Sequence, residues 1–184
     1  MKNFKEIIKI GLTLFAITAV SALLLALINN VTAPIIAENE TEKTYATMGT
    51  LIPDADSFEK ITLNGEKNIV EAYRALDSDA NTIGCCVIST AYGYGGEIKV
   101  LTGIIDNKVC GVDILSHSET PGLGAKATEP EFKDRFLDKT VGIGIAKENA
   151  GDNEINAMSG ATITSTAVTS CVNTALEFAM EVEK

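Results

Sequence analysis

TIGCCVISTAYGYGGEIKVLTGIIDNKVCGVDILS, residues 82–116, carries the pattern from which the architecture of this chain is read. Within it, 82–90, 97–106 and 109–116 are rich in Val and Ile and alternate in part with polar residues, as strands do. Asn107-Lys108 sits between the last two runs and predicts a tight turn, hence an antiparallel hairpin. Gly93, Gly95 and Gly96 separate the first two runs. A nucleotide-binding loop of that composition would lead into a helix, whereas here a strand follows, so a plain turn is expected. Upstream, 68–76 reads as one more strand. Downstream, 129–137 reads as a short helix with Phe132 and Phe136 one turn apart on one face, and 141–146 as a strand. Residues 164–181 form a helix whose stripe is Val168, Val172, Ala175, Leu176 and Ala179. The class is α+β, with a largely antiparallel sheet and flanking helices.

Ahead of this domain the character changes. Residues 10–37 hold no charged side chain, and 10–28 are interrupted only by Gly11, Thr13, Thr18 and Ser21. That length suffices for a helix to cross the hydrocarbon core. A cleaved signal peptide is the competing reading, since Lys2, Lys5 and Lys9 precede the run. The run is longer than a signal core, however, and the small-residue pattern Val31-Thr32-Ala33 is followed by Pro34, which disfavours cleavage. A retained single-pass anchor is therefore expected, with the lysines holding the N-terminus in the cytoplasm. Three parts follow: residues 1–37 as cytoplasmic N-terminus and anchor, 38–66 as a polar stalk, and 67–184 as a domain on the outer face of the cytoplasmic membrane.

The chain of 184 residues has a formal charge of −10, and its first ten residues are net basic, so the remainder is more acidic still. Such a surface repels phosphate backbones, which argues against nucleic-acid binding. The four cysteines, Cys85, Cys86, Cys110 and Cys171, form no C-x-x-C pair and share the chain with a single histidine. Zinc and iron–sulfur sites are thus unsupported. Adjacent Cys85 and Cys86 are expected on opposite faces of a strand. A disulfide involving Cys110 or Cys171 stays open.

Two segments stand apart from structural sequence. Ser118-Glu119-Thr120-Pro121-Gly122-Leu123-Gly124-Ala125-Lys126 follows a strand, and its proline and glycines make a turn whose amides can approach a ligand closely. Asn156-Ala157-Met158-Ser159-Gly160-Ala161-Thr162-Ile163-Thr164-Ser165 opens the last helix. Its small side chains, four hydroxyls and helix N-terminus suit a phosphate. A capping segment, with Thr164 or Ser165 as the cap, explains the same residues equally well.

The S-G-A-T of Ser159–Thr162 resembles the flavinylation motif of the FMN-binding domain family, and the E-T-P-G-L-G of Glu119–Gly124 resembles that family's second signature. Within the family the chain is most similar to G subunits of Rnf electron-transport complexes, and next to C subunits of sodium-translocating NADH:quinone reductases. The resemblance implies one FMN, moved from FAD by a flavin transferase and joined through its phosphate to Thr162. It implies that Ser159, Gly160, Ala161 and Thr164 cradle the phosphate, that Thr120, Gly122 and Leu123 flank the ring, and that Glu119 orients their loop. Lys147 falls where relatives carry a lysine near the cofactor, although the preceding loop is shorter here, and Lys126 is a further neighbour. Where the family usually has Asp upstream of the motif serine, this chain has Asn156. The implied role is an electron relay working with other membrane subunits of an Rnf complex, between ferredoxin and NAD⁺.

Other readings compete. A free-standing extracytoplasmic flavoprotein would need no partner subunits. A serine hydrolase would have to pair Ser159 with His117, outside any G-x-S-x-G context. A structural anchor would bind no cofactor.

Overall fold

The computed structural model describes residues 2–182, and the chain divides into two compact units, one ending at Lys43 and one beginning at Thr44. Helix α1 (Lys2–Leu51) makes up the first unit and contributes its last turns to the second. In the first unit the apolar side chains from Phe4 to Ile36 stand exposed all round the helix. It is long and apolar enough to cross a membrane by length and composition. Three of its hydroxyls are turned back on the helix: Thr13, Thr18 and Thr32 donate to the carbonyls of Lys9, Leu14 and Ile28 at 2.8–3.0 Å. Bonded in this way, these three hydroxyls would need no partner in an apolar surrounding.

The second unit is built on an antiparallel meander in the order β1-β2-β3-β4-β5. Its strands are β1 (Ser57–Lys60), β2 (Ile69–Leu76), β3 (Thr82–Tyr92), β4 (Glu97–Ile105) and β5 (Lys108–Ser116). The C-terminal helix α3 (Thr162–Val182) lies on one face, where Val168, Val172 and Leu176 meet Ala72, Cys85, Val87 and Val100. The other face is covered by the end of α1 and the residue after it, with Met48 and Ile52 fully buried against Tyr73, Cys86, Ile88 and Leu101. A sheet buried on both faces has little reason to alternate, which is why the strands of 82–116 are only partly patterned. Cys85 and Cys86 fall on opposite faces as expected, and none of the four cysteines is in a disulfide. Gly103 and Gly111 pair across β4 and β5 directly beneath Leu51, where a Cβ on either would press into its side chain.

Several elements differ from the sequence reading. The β4–β5 turn falls one residue earlier, on Asp106 and Asn107, both at positive φ (51° and 60°), as a two-residue primed turn requires. Residues 129–137 resolve into a single α-turn, α2 (Pro130–Lys133), and a 3₁₀ turn (Asp134–Phe136). Phe132 and Phe136 are nevertheless buried and meet edge to face, 5.5 Å between centroids. A 3₁₀ turn at Gly124–Thr128 was not foreseen. Strand β6 shrinks to Gly144–Ala146 and pairs in parallel with β7 (Glu154–Asn156), a strand too short to show a period. Residues 44–66, polar enough to read as part of a stalk, supply the buried end of α1 and the edge strand β1.

Candidate functional site

The site is assembled where the loop after β5 meets the start of α3. Helix α3 begins at Thr162, two residues before the sequence reading placed it. The turn ahead of it closes through the Ala161 N–H donating to the Met158 carbonyl at 3.0 Å, with Gly160 at φ +73°. That φ is one a side chain rarely tolerates. Ser165 secures the same turn twice: its hydroxyl donates to the Ala161 carbonyl at 3.0 Å and accepts the Met158 N–H at 2.9 Å. The first backbone bond into the helix runs from Ser165 N–H to Ala161 O. The N–H groups of Thr162, Ile163 and Thr164 therefore lie ahead of the helical ladder, at its positive end.

Glu119 joins this helix start to the rest of the domain. It is buried, its Oε2 accepting the Thr164 hydroxyl at 2.5 Å and its Oε1 accepting the Gly95 N–H at 2.9 Å. Its own N–H donates to Nδ1 of His117 at 3.2 Å. Two glycines make room for the carboxylate and a third for the backbone beside it. A Cβ on Gly93 or Gly124 would strike the carboxylate, and one on Gly95 would strike the Ser118 carbonyl. A buried carboxylate needs donors on its oxygens, and it finds them on two segments distant in sequence.

Around this pin lies an open cavity of about 640 Å³, bounded by Tyr94, Glu119, Thr120, Leu123, Gly124 and the run Gly160–Thr164. Leu123 packs over Gly160, its Cδ2 3.3 Å from where a Cβ would project. Thr162, Ile163, Leu123 and Tyr94 are all exposed at the cavity. The volume is that of a small-molecule site. One end offers a hydroxyl and helix-start N–H groups, and the walls offer large apolar side chains. This donor set fits a ligand with a phosphate at one end and a flat apolar ring at the other.

Of the residues singled out from sequence, Glu119, Thr120, Leu123, Gly160, Ala161, Thr162 and Thr164 come together here. Gly122, at φ +77°, and Ser159 shape the adjoining turns without lining the cavity. Lys147 is exposed just beyond β6, and Lys126 sits in the 3₁₀ turn; neither lines the cavity. Asn156 accepts the Ala150 N–H through Oδ1 at 3.0 Å, and its carbonyl accepts Nη1 of Arg135 at 2.7 Å. It thus ties down the loop between β6 and β7. His117 accepts the Glu119 N–H on Nδ1, and no hydrogen bond joins it to Ser159 among the described residues, so the structure does not pair the two. Tyr94, Gly93 and Gly95 were missed as site residues. The signal for them was the glycine spacing on either side of Tyr94, read only as a turn.

The fold and this cavity define a class: an α+β domain whose last helix opens with unladdered N–H groups beside an open cavity with large apolar side chains in its wall. Residues 93–177 match the FMN-binding domain model, and residues 1–51 match that of the RnfG N-terminal region. The chain is 37% identical over 174 residues to the G subunit of the proton-translocating ferredoxin:NAD(+) oxidoreductase complex of Clostridium ljungdahlii, covering 90% of this chain and 91% of that protein. It is 37% identical over 202 residues to the G subunit of the Na(+)-translocating ferredoxin:NAD(+) oxidoreductase complex of Acetobacterium woodii, covering 99% and 96%. In fold it is similar to NqrC of Shewanella oneidensis, with a TM-score of 0.50 at 19% identity over 67% of this chain and 66% of that one. The chain belongs to the family of G subunits of ion-translocating oxidoreductase complexes.

Proposed function

We propose that this chain is the electron-relay subunit of a membrane-bound, ion-translocating ferredoxin:NAD⁺ oxidoreductase, and that it holds one FMN through a phosphoester on Thr162. The observation that carries the proposal is the position of Thr162: an exposed hydroxyl on the first residue of α3, in the wall of the cavity. A flavin transferase would present FAD there. Thr162 would supply the acceptor oxygen: an O–P bond to the flavin-side phosphorus of FAD would form as the pyrophosphate bond breaks, with AMP the leaving group and the hydroxyl proton lost to solvent. The helix-start N–H groups would then be available to the phosphate oxygens, since positive partial charge there favours an anion. Gly160 and Ala161 keep the approach clear, and Leu123 and Thr120, in the cavity lining, would border the ring.

When bound, FMN supplies redox chemistry that no side chain in this cavity offers. The protein's part is to position it at an open edge, where a neighbouring subunit can reach it. A tether matters in so open a cavity, because few walls hold the ring and a released flavin would be lost outside the cell. The basic N-terminus favours the cytoplasmic side, which supports an outer-face location for the second unit. The partners are the other membrane subunits of the complex, and independent substrate turnover is not part of the role. A free-standing carrier would not copurify with those subunits.

The test is made on the assembled complex. Thr162→Ala should leave the subunit in place while ferredoxin-driven NAD⁺ reduction falls to background. Full turnover in that variant complex would remove the relay role.

A further inference from the structure

We infer that Tyr94 is a cofactor-contact residue, its phenol forming the aromatic wall of the flavin site; this rests on reading the cavity as the FMN site. Tyr94 lines the cavity with Thr162 and Leu123, yet remains 75% exposed. It stands on a turn whose other members are Gly93, Gly95 and Gly96, so the turn presents one side chain and presents it at the cavity. The turn itself is fixed. Gly93 N–H donates to the Gly96 carbonyl at 2.8 Å, and Gly95 N–H donates to Glu119 Oε1 at 2.9 Å. A Cβ on Gly93 or Gly95 would collide with Glu119 or the Ser118 carbonyl, so the turn sits as close to the loop after β5 as backbone allows.

Turn chemistry alone does not call for tyrosine. Such positions favour Gly, Asn, Asp and Ser for their backbone preferences. A large ring left open to water beside a cavity gains from a flat partner that covers it, and stacked aromatic contacts add to the area effect. Glu119 acquires a second task on this account: through Gly95 it positions Tyr94, as through Thr164 it positions the helix start.

Tyr92 supplies an internal control. It is 79% exposed, two residues away at the end of β3, and outside the cavity lining. A phenol in contact with an isoalloxazine dims its fluorescence, because an electron passes from the phenol to the excited ring and returns with no net reaction. Phenylalanine keeps the ring face but lacks that donor. The experiment compares the flavin emission of the full chain, purified in detergent after coexpression with a flavin transferase, in wild type, Tyr94→Phe and Tyr92→Phe, each normalised to attached FMN by mass. Tyr94→Phe should be several-fold brighter than wild type, and Tyr92→Phe should match wild type. Tyr94→Phe as dim as wild type, or Tyr92→Phe equally bright, overturns the inference while leaving the FMN site intact. A wild-type chain with no attached flavin overturns both.

Discussion

Glu119 and Thr164, separated by 45 residues of sequence, meet in a 2.5 Å hydrogen bond in which the buried hydroxyl donates to the buried carboxylate. This bond fastens the loop after β5 to the first turn of α3, and so sets the width of the cavity between them. Thr164→Val keeps the shape and removes the donor. It should destabilise the domain by about 1–3 kcal/mol, the cost of leaving a buried acceptor short of a partner, and urea denaturation of the full chain in detergent measures it. An unchanged midpoint would mean that the bond contributes nothing to the site's rigidity.

Gly124 stands between the same two side chains. A Cβ there would lie 2.6 Å from the Thr164 hydroxyl oxygen and 2.9 Å from Glu119 Cβ. Gly124→Ala should therefore force the pair apart, at a cost of about 1–3 kcal/mol, and lower the fraction of chains carrying flavin. In-gel flavin fluorescence against total protein reads the second effect, and a fully loaded variant would contradict it.

Asn156 acts in the structure as an acceptor for Ala150 N–H. A carboxylate accepts the same bond, so Asn156→Asp should retain stability and flavin loading. Asn156→Ala should loosen the β6–β7 loop and reduce loading. Equal loading in all three chains would show that this residue takes no part in presenting Thr162.

The buried thiols predict an alkaline limit. Burial pushes Cys171 up to about 12 and Cys110 up to about 11, and raises Cys86 too, helped by Cys85 and Cys110 beside it. An unfolded thiol ionises near about 8.5, so above that pH the native state retains protons that the unfolded chain has lost. Stability from keeping these thiols neutral is fully present below about pH 8.5 and declines as pH rises toward the native values. Denaturation midpoints should fall steadily between pH 8 and pH 10 (a window set by the unfolded thiol, about 8.5), and a flat profile would contradict the burial argument.

The sheet could be read from Val, Ile and turn residues because β2 to β5 are neighbours in sequence, and their pairing needs only short connections. The long apolar helix was equally plain from its uncharged run. What escaped notice depends on distant contact. Strand β7 exists because β6 lies beside it, with Ile145 opposite Ile155. The end of α1 is core, despite its polar neighbours, because Gly103 and Gly111 open a space for Leu51. In the site, Thr162 and Glu119 were legible through their motifs. Tyr94 was not, since its glycines read as an ordinary turn until Glu119 was seen to hold them.

The most direct measurement is the intact mass of the full chain after coexpression with a flavin transferase, followed by peptide mapping. The account predicts a single FMN increment on the peptide containing Thr162, absent from Thr162→Ala protein that folds as wild type does. An unmodified wild-type mass, or an increment on any other peptide, would contradict it.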